Sequence, residues 1–415
     1  MMTQAFQAAI DSATVTEPAA VPALRSVVVS KLQDFHALRG ELEELCNELC
    51  EDNVFYEPWM MVPALTHLDR GHALSFVCFY ETASPGRLCG FFPLMRAPVH
   101  PLLPLSTYQS WTHPHCFRST PLIRKGFAES CWSALFDWLE RQPVWRRMLF
   151  VRRLLADGET AQALRQVLGR RPTLHYAMVG HETAFLRIAG DSDEVLRQAM
   201  SGSTLGKLRR QQRRLAECGE IVFSEVDDEP DLNHFLDEFL ELETSGWKGQ
   251  QGTAIACHAN EEAFFRAVAS AARDRGQLSL LSMRVGGKLL AAQCSLVSRH
   301  GSFLFKTTYD EHYSRYSPGV LLEIEHLRRM HDPKAPLRGR LSWSDSCAGP
   351  DDGPVYRCWP ERRTVVEYRI ACGWGPPWLI VTLWPLLRRI YLFLQQLKAR
   401  QADAPPQPAQ GSAKA

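Results

Sequence analysis

FKTTYDEHYSRYSPGVLLEIE, residues 305–325, passes from a strand-type run through a polar, tyrosine-rich segment into a helix-type pattern opened by Ser317-Pro318-Gly319. Ser suits a helix cap, Pro an early helical position, and Gly permits close approach of another group to the backbone. A helix N-terminus offers unpaired amide groups and the positive end of the helix dipole, both of which favour anions. Into the gap before it the chain puts Lys306, Tyr309, Asp310, Glu311, His312, Tyr313 and Arg315. No catalytic triad and no metal cluster accompanies them.

Working outward, the strand that enters this segment is the last of three. LSLLSMRV, the turn Gly286-Gly287, KLLAAQCSLV and GSFLFKTTYD run in succession from residue 278, and Leu321, Leu322, Ile324 and Leu327 then fall on one helical face over Val320–Met330. The same order occurs earlier. ALSFVCFYE, the turn SPG and RLCGFFPLM lead to a helix over Glu129–Glu140 with Trp132, Leu135, Phe136 and Leu139 on one face. The junction between the copies falls near Gly190. Beyond it, EVLRQAMSGSTLGKLRRQQRRLAEC reads as one long helical stretch closed by Gly219, followed by the strand IVFSEV and helices over about 230–242 and through EEAFFRAVASAARDRG. Mixed order of this kind indicates an α/β or α+β layer fold.

Composition narrows the function. A chain of 415 residues suggests two domains and a tail at about 150 residues per domain. Lys+Arg 47 against Asp+Glu 46 leaves no overall basic excess, which argues against duplex nucleic acid as a partner. The twelve cysteines are scattered without a CxxC pair, and HPHC, residues 113–116, reads as a loop turned by Pro114, so no metal is expected. The opening MMTQAFQAAIDSATVTEPAA lacks a basic n-region and an apolar core, which predicts a cytoplasmic chain.

SGWKGQQGTAI, LLAAQCSLV and FKTTYDEHYSRYSPGVLLEIE, together with the early VFYEPWMMVPAL, resemble the BioF2-like acetyltransferase family, which includes the CelD/BcsL cellulose-biosynthesis proteins. The resemblance covers roughly residues 50 to 370. It implies two tandem GNAT-like acyltransferase domains with mixed central sheets flanked by helices, similar in plan to Fem-type transferases. The expected division is a disordered 1–21, a first domain over 22–190, a catalytic domain over 191–371, an amphipathic helix over 372–400 and a disordered tail over 401–415. The resemblance also implies acetyl-CoA as co-substrate, a small amine as acceptor, and a link to polysaccharide synthesis. The usual Gln/Arg-x-x-Gly-x-Gly/Ala loop is replaced by Arg315-Tyr316-Ser317-Pro318-Gly319, and Fem-type relatives take aminoacyl-tRNA, so tRNA stays open as the alternative donor.

Amine acylation requires a base, a donor for the developing oxyanion and an acid for the departing thiolate, but no covalent nucleophile. Asp310, Glu311 and His312 are candidate bases, Tyr309 and Tyr313 candidate acids, and Asp345 in LSWSDSCAG a further acidic candidate at a strand end. Lys306, Arg315, Ser317, Gly319 and Val320 are expected to hold the donor, and Trp247 and Lys248 to shape the acceptor pocket. KLRRQQRR, residues 207–214, adds five cations suited to phosphates, or to a solvated helix face. In WLIVTLWPLLRRIYLFLQQLKAR the apolar run is shorter than the about 20 residues of a spanning helix. Trp378 to Leu394 is therefore expected to pack, to oligomerise, to contact a polysaccharide synthase, or to lie peripherally on the inner membrane.

Overall fold

The structure, a computed structural model, describes residues 23–386 except 70, 85, 100–104, 226–231, 336–339, 350–352 and 385. The expected disordered ends, and the expected amphipathic helix beyond residue 386, lie outside the described residues.

The first half of the chain supplies β1 (Leu24–Val29), α1 (Leu32–Ala37), α2 (Arg39–Cys46), α3 (Pro58–His67), β2 (Ala73–Glu81), β3 (Leu88–Pro98), β4 (Ser106–Ser110) and β5 (Leu122–Ile123). It continues through α4 (Ala128–Glu140), β6 (Met148–Leu155), α5 (Glu159–Arg170) and β7 (Thr173–Arg187). The second half supplies α6 (Ser192–Ala199), α7 (Gly202–Ala216), β8 (Ile221–Glu225), α8 (Leu232–Ser245), α9 (Trp247–Gln250), α10 (Ala259–Asp274) and β9 (Leu278–Val285). It ends with β10 (Lys288–Val297), β11 (Gly301–Tyr309), α11 (Pro318–His331), β12 (Trp343–Asp345), α12 (Val355–Cys358) and β13 (Glu361–Cys372).

The described strands join one mixed sheet in the order β1-β2-β3-β4-β6-β13-β7-β12-β11-β10-β9-β8, with β5 paired to β3. Neighbours are antiparallel except at β4/β6 and β11/β12, so the sheet reads alike from either edge inward. Its centre is an exchange. β7, from the first half, completes the second half by pairing with β12, while β13, from the second half, completes the first by pairing with β6. β7 and β13 then pair with each other from Thr173↔Cys372 to Phe185↔Glu361. Where two sheets were expected, this crossover makes one continuous sheet flanked by helices.

Local sequence accounts for the hairpin that leads to the site. Gly286 and Gly287 have φ of 56° and 85°, the left-handed pair that a tight β9–β10 turn needs. The long helical stretch after Gly190 divides in two. Ser201 takes an extended backbone, and its hydroxyl accepts from the Thr204 amide, so a new helix is capped there and α6 and α7 are separate. The main core joins the halves: α3 packs against α10, and Phe55 meets Phe303 edge-on at 5.5 Å. Two further cores lie under α4 and α5 and under α6, α7 and α11.

Candidate active site

β11 and β12 are parallel over three residue pairs only, Gly301↔Trp343, Ser302↔Ser344 and Phe303↔Asp345, and then part. On its other side β11 pairs Leu304 with Ser295 and Lys306 with Cys294, which leaves Phe305 as a bulge. A bulge bends its strand and strengthens its twist, so β11 swings away from β12 where their pairing ends. The result is a V between two strands. At its vertex Asp345 is fully buried and takes a two-pronged ion pair from Arg118, with Nε–Oδ2 2.9 Å and Nη2–Oδ1 2.7 Å. The Thr183 hydroxyl (3.0 Å) and the Cys347 amide (2.9 Å) also donate to it. Asp345 thus caps the strand end and ties the first half to the second, enclosed rather than presented to a cleft.

On the far arm, Asp310 caps the turn that follows β11 by accepting from the His312 amide at 3.0 Å, and its other oxygen takes the Lys288 ammonium at 2.8 Å. Burial opposes its charge, but these bonds outweigh burial and hold the carboxyl below its ordinary range. It is a fixed anion. Glu311 accepts from the Trp247 amide at 2.8 Å, and Lys248 donates to Glu243 at 2.8 Å and to the Thr307 carbonyl at 3.2 Å. These bonds bring the Trp247-Lys248 turn onto the end of β11, with the indole 48% exposed. Tyr313 lies under the Lys288 ammonium at 5.4 Å and near Tyr316. His312 is exposed apart from its contact with Asp310.

The chain enters α11 through Ser317 in the left-handed region, φ 57° and ψ 50°, an uncommon conformation for a residue with a side chain. Its hydroxyl makes no cap bond. Instead its carbonyl accepts from the Val320 and Leu321 amides, and the Val320 side chain lies in the core. A Cβ at Gly319 would stand 3.0 Å from Pro354 Cγ and 3.2 Å from the Tyr309 ring, so glycine lets β11, α11 and the 354 turn converge. Arg315 lays its guanidinium over Tyr316, and its carbonyl accepts from Gln211 of α7. Lys207, Arg209, Arg210, Arg213 and Arg214 on that helix are exposed.

Lys306 is placed differently from an anion-binding lysine at the helix start. Its Nζ lies 2.8 Å from His115 Nδ1, and His115 Nε2 lies 2.9 Å from Glu261 Oε2. Burial drives the ammonium down to about 8, opposed by Glu243 and assisted by the nearby Lys248 cation. Burial and the adjacent ammonium likewise hold His115 neutral, with its value pushed down to about 2. The imidazole stacks on Phe264 at 5.4 Å. His115, Glu243, Glu261 and Arg118 carry this geometry, and none stands out in the sequence. The one trace is the polar HPHC segment, which reads as a loop. Among the described residues no group of three or more His, Cys, Asp or Glu side chains is arranged to hold a metal ion.

A splayed parallel pair, a bulged strand and a helix starting at the mouth of the splay define a GNAT-type acetyltransferase fold. Residues 202–345, from α7 to the end of β12, match the family described as acetyltransferase (GNAT) domain. Among solved structures the chain is similar to FemX, at 10% identity over 83% of this chain and 96% of that one, with a TM-score of 0.53. It is also similar to a tandem GNAT protein from the clavulanic acid biosynthesis pathway (16% identity, 85% and 100% covered, TM-score 0.41). A third is a conserved protein of unknown function from Bacteroides thetaiotaomicron VPI-5482 (9%, 81% and 97%, TM-score 0.49). At these identities the likeness to FemX is one of fold. No curated protein sequence matches the chain.

Proposed function

We propose that the second half of the chain, closed by β7, is an acetyl-CoA-dependent N-acetyltransferase for a small amine, with the first half as a supporting domain. The observation that carries this is the V between β11 and β12, with α11 starting at its mouth and the match over residues 202–345 covering both strands and the helix. The donor's phosphates suit the Ser317-Pro318-Gly319 start of α11 and Arg315. Its thioester supplies the activated acyl carbon. The rest falls to this chain's side chains. An amine arrives as an ammonium, and Lys306, lowered by burial and partly neutral at physiological pH, takes its proton. The resulting Lys306 ammonium is held by a hydrogen bond to Nδ1 of the neutral His115, whose other ring nitrogen lies 2.9 Å from Glu261. The freed amine attacks the acyl carbon, the carbon–sulfur bond breaks, Tyr309, whose ring stands beside Gly319, protonates the departing thiolate, and the second proton shed by the acylated nitrogen returns to the Tyr309 phenolate. Trp247 forms a wall for the acceptor.

The BioF2-like resemblance points to an amino-sugar or amino acid linked to polysaccharide or cellulose synthesis as the acceptor, in the cytoplasm. Thermal-shift titration with acetyl-CoA and CoA tests the donor. The expected result is a rise in Tm that grows with ligand concentration. No shift at saturating ligand would overturn it. An aminoacyl-tRNA donor is the second reading, supported by the exposed cations of α7 beside Arg315. Binding of charged tRNA with no response to acetyl-CoA would favour it.

A further inference from the structure

The proposed acyl-transfer site makes no use of a cluster of exposed apolar side chains near the end of β13. After β13 the chain turns at Gly373 and Gly375 into helix 376–384. This helix docks by Val381, 2% exposed, and Trp378 against Met148, Ala371, Leu174 and Tyr176, where β6 begins, β13 ends and β7 begins. One stripe faces away from that contact. Leu379, Leu383 and Leu386, spaced i, i+4 and i+7, are 57%, 49% and 56% exposed. Trp374, 78% exposed, stacks on Trp378 at 5.2 Å. Beside it, Gly375 packs on Val144, whose neighbour Trp145 is 49% exposed. Five of the ten large apolar side chains exposed among the described residues therefore gather here. A concentration of this kind marks an interaction surface, whereas scattered exposed apolar residues do not.

Charge identifies the occupant. Between Glu367 and Asp403 the sequence has no acidic residue, but after the helix it has Arg388, Arg389, Lys398 and Arg400, whereas the Arg369 guanidinium lies against the Phe150 and Trp384 rings. Tryptophan and leucine on a short helix, followed by cations with no acids, fit the headgroup boundary of an anionic bilayer, where indole rings settle at the interface and each cation near the surface adds about 1 kcal/mol. No helix of the described residues is long and apolar enough to cross a membrane. We propose that the outer stripe of helix 376–384, with Trp374 and Trp145, holds the protein on the surface of an anionic phospholipid bilayer. β12 runs antiparallel to β7, so β11 and β12 diverge toward the end of the sheet where β7 begins and this helix docks.

Co-sedimentation of the full chain with vesicles tests the proposal, using phosphatidylcholine alone and phosphatidylcholine mixed with phosphatidylglycerol. Binding is expected only to the anionic vesicles, and it weakens as salt is raised. Leu379→Asp combined with Leu383→Asp lowers that binding on the order of tenfold or more, because two leucines lose their apolar seat. Trp374→Ala lowers it less. All three positions are exposed, so the variants keep the circular dichroism of the parent and its thermal response to acetyl-CoA, which makes the result independent of the acyl-transfer assignment. Absence of binding to either vesicle, or undiminished binding by the double variant, would overturn the proposal. So would a dimer by light scattering that the double variant converts to monomer, since a second copy would then cover the stripe.

Discussion

The two halves of the molecule build the same V and treat it in opposite ways. In the first half β4 and β6 are parallel over Tyr108↔Leu149 and Gln109↔Phe150 before parting, as β11 and β12 do in the second. There the space is closed by side chains. Tyr56, Leu94, Trp132 and Leu135 leave a cavity of about 10 Å³, room for one water at most, and Trp132 is fixed by its indole bond to the Thr160 carbonyl at 3.0 Å. In the second half the corresponding region holds Lys306 bonded to His115, with exposed Thr307 and Trp247 at its rim. Apolar filling stabilises a scaffold. A buried amine beside an imidazole is costly to keep, so it points to chemistry. The first V is filled as core, whereas the second holds Lys306 against His115 of the first half.

Variants can break or sharpen this contrast. The largest expected effect is on turnover. Lys306→Met lowers kcat/KM by about 10²- to 10⁴-fold, the usual loss of a general base, with donor affinity unchanged by calorimetry. Retained turnover would move the base elsewhere. Next, Asp345→Ala leaves the Arg118 guanidinium buried without its partner, and chemical denaturation should show a loss of about 3–5 kcal/mol. The Gly319→Val side chain must displace Pro354 and Tyr309, so it weakens acetyl-CoA binding by about tenfold, or 1.4 kcal/mol. Trp132→Phe, in the filled V, changes stability but leaves that affinity alone.

The pH profile follows from the direction of the Lys306 shift. Its base form accumulates as pH rises, so kcat/KM increases up to about pH 8 and levels above it, and the Lys306→Met residual activity loses this dependence. The folded-state value lies below the usual 10.5, so the cost of burying the ammonium is fully present below pH 8 and is relieved as pH rises toward 10.5. The smallest effect belongs to Glu311→Gln. It weakens a cap-like bond to the Trp247 amide worth about 1 kcal/mol, and raises KM for the acceptor several-fold with kcat little changed.

What the sequence revealed were features set by neighbouring residues. Gly286-Gly287 demands a tight turn, Ser317-Pro318-Gly319 a helix start, and the leucines of 320–330 one buried face. What it concealed depends on distance along the chain. His115 and Lys306 are 191 residues apart, and Arg118 and Asp345 are 227 apart, so no local pattern links either pair. The exchange of β7 and β13 is hidden for the same reason. Each half reads as self-contained because a strand's sequence does not name its partner. Asp310 and Glu311 attract attention as acids, yet each already serves a backbone amide, a use that composition cannot distinguish from catalysis.

Binding stoichiometry tests the central contrast most directly. Isothermal titration of the full chain with acetyl-CoA should give one site per chain, weakened in Gly319→Val and untouched in Trp132→Phe. Two equivalent sites, or a site lost on altering Trp132 rather than Gly319, would contradict the assignment of the second V as the working one.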